Sequence, residues 1–315
     1  MLNRRHLRIK VLQTLYAYQQ SEDKNVTKFE KSLLKNVDQV NEMYIWLLNL
    51  LVDVADYTII DADERSRKFL PTERDLNANL RLQDNVFIET LRKNEKFIDQ
   101  SKKYHVSWSF DPEIVRQIFH KLRDSDEYQV YLGQSVHSIS EDKDIIKYIF
   151  KKIILKLPIV DQAFEEKFIN WQLDKEVLQA LVAKTFKNFV SHDPHQNKLA
   201  DLTPNWEEDK EFIIDLFVLT VRHSEEYAEM IGKKTKNWEA DRIALMDTLI
   251  MELAISELLN FSSIPVKVTI NEYIEMSKLF STPKSNTFIN GILDKILGEL
   301  KSSGRIRKYG RGLNE

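Results

Sequence analysis

The stretch "NRRHLRIKVLQTLYAY" (Asn3–Tyr18) decides how the chain is read. Its apolar residues Leu7, Val11, Leu15 and Tyr18 fall at i, i+4, i+8 and i+11, which lines one face of an α-helix for burial. The same stretch carries Arg4, Arg5, Arg8 and Lys10 within the first turns. A helix N-terminus bears partial positive charge, so each cation there costs roughly a few tenths of a kcal/mol. Arg4 and Arg8 share a face at i, i+4, as do Arg5 and Arg8 at i, i+3, so the spacing predicts a cationic patch turned toward something anionic.

Composition extends the helical reading to the whole chain. Among 315 residues there are only 7 Gly and 7 Pro, far below ordinary usage. Sandwiches and parallel α/β sheets need glycine at their turns, whereas helices need little, so the expected fold class is all-α. A hydrophobic share of 43% and a charged share of 30% describe a chain able to bury a core rather than a disordered one. Cysteine is absent, which excludes disulfides, thiolate nucleophiles, zinc fingers and iron–sulfur clusters and fits a reducing compartment. The first residues hold charges but no apolar run with a small-residue cleavage site. Apolar stretches such as Ile45–Ala55 read as too short and too charged for a membrane span. A cytoplasmic protein without membrane contact is expected.

Helical periodicity recurs at about residues 27–60, 86–102, 112–123, 143–156, 160–171, 175–190, 206–232, 238–260, 270–280 and 285–300. The polar, proline-bearing 61–82 reads as a connection, and "SHDPHQNKLADLTPN" (Ser191–Asn205) as the clearest loop. The expected organisation is N-terminal helices over 1–74, a helical insertion over 75–205, a C-terminal bundle over 206–300 and a flexible basic tail over 301–315.

Enzyme signatures are missing: no glycine-rich phosphate loop, no GxSxG elbow and no HExxH. His192 and His195 lie close as "HDPH" but lack further ligands, so no metal, cofactor or catalytic residue is expected. Local syntax is strongest near the C-terminus. Thr269 followed by Glu272 reads as a capping box, and Pro283 suits a first helical turn. Gly291 sits inside a helix, where glycine costs about 1 kcal/mol against alanine, and this suggests a close helix contact or a surface kept clear for a ligand.

The stretch "WEADRIALMDTLIMELAISELL…IPVKVTINEYIEMSKLFSTPKSNTFINGILDKI" (Trp238–Ile296) resembles the C-terminal half of the transcription antitermination factor NusB family. The resemblance rests on Asp247 ahead of an apolar helix, the A-x-x-E-L ending at Ala254–Leu258, "INE" at Ile270–Glu272 and "FINGILDK" at Phe288–Lys295. "RRHLRIKVLQTLYAYQ" (Arg4–Gln19) independently resembles the family's arginine-rich first helix with its Q-x-L-Y core. The likeness covers the first twenty or so residues and about 210–300.

The resemblance implies an all-helical fold that binds single-stranded boxA-type RNA together with the NusE-type small-subunit ribosomal protein, within an RNA polymerase antitermination complex acting notably on ribosomal RNA operons. It implies RNA contact by Arg4, Arg5, Arg8, Gln13, Tyr16 and Phe288, and partner contact near Asp247. Lys10 and Lys284 would add positive charge to the RNA surface. Arginine pairs bidentately with phosphate, and aromatic rings stack on splayed bases, so the residue types fit. Two positions depart from the family's pattern: Glu252 stands where arginine is common, and Lys284 where some members carry an acid. The alternative is a non-catalytic helical adaptor or ribosome-assembly protein working through protein contacts. A fused RNA methyltransferase would need a glycine-rich nucleotide-binding turn, which is absent.

Overall fold

The structure, a computed structural model, describes residues 1–134, 138–235 and 243–313. The described residues hold fifteen α-helices and no strand, in keeping with the all-α expectation. In chain order the helices are α1 (Arg4–Gln20), α2 (Val26–Ser66), α3 (Glu73–Leu76), α4 (Val86–Lys93), α5 (Glu95–Lys103), α6 (Pro112–Arg123), α7 (Asp126–Gly133) and α8 (Ile139–Tyr148). They continue with α9 (Pro158–Lys167), α10 (Trp171–Asn188), α11 (Trp206–Arg222), α12 (Ser224–Lys234), α13 (Leu245–Asn260), α14 (Val266–Phe280) and α15 (Pro283–Ser302). The expected helix start at Trp238 lies outside the described residues.

The chain divides into two compact units. The terminal unit comprises Leu2–Val37 and Asn205–Glu315; the central unit comprises Asp38–Pro204 with Met1.

In the terminal unit α13 is the core helix, buried on nearly every side from Asp247 to Leu258. The chain places α1, α11, α12, α14 and α15 against it. Beside it, α1 is joined to α11 and to the start of α2: Tyr18 packs edge-on against Phe29 at 5.3 Å and Phe217 at 5.9 Å between centroids. Asn3 caps α1 by accepting from the His6 amide at 3.0 Å. Thr282 caps α15, whose first residue is Pro283, as its ring geometry favours.

The expected capping box at Thr269 and Glu272 does not form. α14 starts earlier, at Val266 behind Pro265, and both side chains are spent on contacts with other helices. Around Gly291, a Cβ would meet nothing within 4 Å, which removes close helix contact as the reason for that glycine. The C-terminal stretch is tied back rather than loose. Lys308 donates to the Phe261 carbonyl at 2.9 Å, the Tyr309 amide to the Ser262 carbonyl at 3.2 Å, and Arg305 pairs with Glu226.

In the central unit, an aromatic chain fills the core. Trp46 meets Trp108 at 5.1 Å, Trp108 meets Phe164 at 5.7 Å, and Phe164 stacks on Trp171 at 4.3 Å. Buried Asp142 accepts from the Val86 amide and the Tyr131 hydroxyl, both at 2.9 Å, while Asn85 caps α4 by accepting from the Phe87 and Ile88 amides. By length and composition α2 is long and apolar enough to cross a membrane, contrary to the reading of its apolar stretches as too short. Of its most apolar window, 72% is buried within the protein, as in a core helix.

Candidate functional site

The arginines of α1 each meet a carboxylate from a different helix of the terminal unit. Arg4 reaches Glu208 at 2.6 Å and Asp209 at 3.0 Å on the first turn of α11, and its guanidinium lies 4.3 Å from the Phe212 ring centroid. Arg5 forks onto Glu272 of α14, with two contacts of 2.8 Å. Arg8 forks onto Glu257 of α13, with two contacts of 2.7 Å.

These pairs answer the electrostatic puzzle of the sequence. The first turn of α1 contains no acid, but the first turn of α11 contains Glu207, Glu208 and Asp209. Acids suit the positive end of α11, and they offset the cations held at the positive end of α1. The hydrogen bonds from Arg5 hold the Glu272 carboxyl below its usual range, and Glu272 in turn raises the Arg5 guanidinium.

The Arg8–Glu257 pair is of another kind, because neither side chain is more than 2% exposed. Glu257 also accepts from the Thr269 hydroxyl at 2.8 Å and the Tyr273 hydroxyl at 3.1 Å, so its carboxylate receives four hydrogen bonds. Burial opposes the charge on Arg8, but Glu257 outweighs it and keeps the guanidinium protonated. Burial raises the Tyr273 hydroxyl well above its ordinary value, so it stays a donor.

Arg4, Arg5 and Arg8 line one cleft of about 980 Å³ together with Glu208, Glu211, Asp215 and Glu272. Three arginines therefore face four carboxylates. Arg4 and Arg5 are partly exposed, whereas Arg8 and Lys10 are buried, so the four cations do not form one surface patch. Gln13 is half-buried and Tyr16 is 40% exposed, further along α1. Lys284 is exposed and Phe288 half-buried on the first turns of α15; neither lines the cleft. Asp247 is buried and accepts from the Ser281 hydroxyl, so it ties the start of α13 to the α14–α15 turn. Among the described residues no three His, Asp or Glu gather as a metal-holding group.

Sequence reasoning missed the acidic halves of these pairs. One signal was available: Glu257, like Asp247 and Glu252, is an acid within the strongly apolar α13, and Arg8 lies between Leu7 and Ile9, so burying these helices takes charges out of water, where an opposite partner offsets the cost.

An all-helical unit built on an arginine-rich first helix, held by acids of three later helices, defines a helical bundle of the NusB type. Residues 175–298 match the model of the NusB family. The chain is similar to the transcription antitermination protein NusB of Salinibacter ruber, with 37% identity over 153 residues, covering 49% of this chain and 87% of that protein. It is also similar to the proteins of that name from Chloroherpeton thalassium and Desulforamulus reducens. The first is 38% identical over 138 residues, 44% of this chain; the second is 47% identical over 87 residues, 28% of this chain. Each covers 61% of the relative's own length. No solved structure matches the chain. The chain belongs to the NusB family.

Proposed function

We propose that the protein is a transcription antitermination factor that binds single-stranded boxA-type RNA together with the NusE-type small-subunit ribosomal protein, in the RNA polymerase antitermination complex. The observation that carries this is the likeness to the Salinibacter ruber protein over most of that protein's length. Arg4 and Arg5 are the contacts best supported for phosphate. Both are partly exposed: Arg5 forks onto Glu272, and Arg4 bridges the exposed Glu208 and the nearly buried Asp209. Arg8 and Lys10 serve α1 from within, while Tyr16, Gln13, Lys284 and Phe288 remain candidates on the surface or at its edge. Asp247 acts on the partner protein through the α13 corner that it holds.

The charge balance of the cleft supports weak RNA affinity for the chain alone, since a phosphate arriving at Arg4 or Arg5 must displace a carboxylate. A basic partner would offset that repulsion. Binding of labelled boxA-type RNA is measured across a salt series, with and without the NusE-type protein. Affinity rises with the partner, and Arg4→Ala/Arg5→Ala lowers it. The same variant makes the slope of log affinity against log salt shallower by roughly 1.4, at about 0.7 per single-strand phosphate. An unchanged affinity and slope in that variant would remove α1 from the RNA site.

A further inference from the structure

Outside the terminal unit, the sequence "RSRKFLPTER" (Arg65–Arg74) joins the end of α2 to α3 and interleaves cations with an aromatic. Asp75 gathers this segment. It accepts from the Thr72 amide at 3.0 Å, the Thr72 hydroxyl at 2.8 Å, Arg65 Nε at 2.7 Å and Lys68 Nζ at 3.1 Å. The turn is thereby pinned at both sides of Phe69, which is nevertheless 97% exposed, with Leu70 beside it at 80%. Leaving that much apolar surface in water is unfavourable, and a rigidly presented bare ring has little use in packing.

Beside this turn lies a cleft of about 610 Å³. Arg65, Lys68, Arg74 and Arg123 line it, against only Asp61 and Asp124. Asp61 is buried and already neutralised by Arg123 at 2.6 Å and Arg65 at 3.6 Å. Arg74 is exposed, and among the described residues its side chain has no ion pair or hydrogen bond. The lining holds four cations against two anions; with Asp75, which pairs with Arg65 and Lys68 from beside the cleft, one cation remains in surplus in a chain of net charge −3, opposite in sign to the cleft at α1.

We infer that this cleft and Phe69 form a second binding site, for single-stranded nucleic acid, with the backbone in the cleft and a base stacked on Phe69. A cationic groove beside an aromatic platform is how single strands are held without sequence preference. The side-chain amides of Asn77 and Asn79 on the cleft wall supply donors and acceptors for base edges. A flat anionic surface would meet Phe69, Lys68 and Arg74 but not Arg65 and Arg123, which are less than a third exposed, so the concavity favours a strand over a membrane. None of these residues falls within the family-matched 175–298, and the inference stands whether or not α1 binds RNA.

The test uses the full chain and labelled oligouridylate, with double-stranded RNA and phosphatidylserine-containing vesicles as comparators. Phe69→Ala weakens oligouridylate binding by about 5- to 150-fold, the range for one lost base stack. Phe69→Trp retains binding, and Arg74→Glu weakens it while making the salt dependence shallower by about one unit of slope or more. Both positions are exposed, so circular dichroism and the unfolding midpoint stay at wild-type values. Unchanged affinity in Phe69→Ala and Arg74→Glu overturns this site, whatever Arg4→Ala/Arg5→Ala does. Vesicle binding that depends on Phe69, with no oligouridylate binding, overturns it too. Weakening by Phe69→Ala, with Arg4→Ala/Arg5→Ala silent, upholds this site and removes the one at α1.

Discussion

Arg8 separates a structural from a ligand-binding role for the arginines of α1, and its loss can be given a size. Arg8→Met keeps the length and apolar stem of the side chain but removes the guanidinium. Glu257, fully buried, then keeps only the hydroxyls of Thr269 and Tyr273. Stranding one member of a buried ion pair costs about 3–5 kcal/mol, because the remaining charge has lost both water and partner. Against a typical domain stability of about 5–15 kcal/mol, this is a large share. Arg4→Ala breaks pairs with Glu208, 61% exposed, and Asp209, 10% exposed, and removes the contact with Phe212; Arg4 itself is 34% exposed, so the cost is about 1–2 kcal/mol, still below that of Arg8→Met. The assay is urea unfolding with hydrogen exchange resolved at α1 and α13, because two compact units need not unfold together. The double variant Arg8→Met/Glu257→Gln recovers part of the loss, since no charge is left stranded. A cost for Arg8→Met no larger than that of Arg4→Ala, or no recovery in the double variant, would refute this account. The result bears on RNA assays as well: weakened binding in an Arg8 variant reports a loosened α1 before it reports a lost phosphate contact.

Glu252 is buried in α13 with one carboxyl oxygen lacking any hydrogen-bond partner, and burial raises its pKa from 4.5 to about 7. The folded state therefore holds a proton that the unfolded state releases, so stability is highest below about pH 4.5 and falls, on this account, as pH rises to about 7. The loss is on the order of 3 kcal/mol. Glu252→Gln removes that slope, so the gap in unfolding midpoint between variant and parent widens from pH 5 to pH 8; parallel curves would contradict it. Gly291→Ala places a methyl in open space on α15 and stabilises by about 0.5–1 kcal/mol. A rise in unfolding midpoint with weakened RNA or partner binding would mark Gly291 as a surface kept clear, and a fall in midpoint would contradict the open space.

What the sequence disclosed depended on whether the deciding contact was local. α6 runs over the expected 112–123 because proline opens it and the next turn is polar, both readable within a dozen residues. The apolar stripe of α1 likewise needs only its own spacing. The periodicity over 206–232 hid a break at His223, where α11 ends and α12 begins, since a one-residue interruption barely disturbs the pattern. Short α7 passed unnoticed for a similar reason: eight residues are too few for a period to show. Thr269 and Glu272 had the spacing of a cap, but Glu257 and Arg5, from other helices, claimed them.

The arginines of α1 show the same limit in charge. Their sign could be read, yet Glu208, Glu257 and Glu272 lie more than two hundred residues away, and nothing local says they will arrive. A run of cations in sequence is therefore evidence about a ligand only once the protein's own anions have been accounted for. By that standard the dense run at Arg4–Lys10 is largely balanced. The thinner set of Arg65, Lys68, Arg74 and Arg123, assembled from α2, its following turn, α3 and α6, keeps a surplus of one, carried by Arg74, once Asp61, Asp75 and Asp124 are counted. Electrostatic attraction acts on that surplus, not on the run, so a second nucleic-acid contact is better sought where the folded chain leaves charge uncancelled.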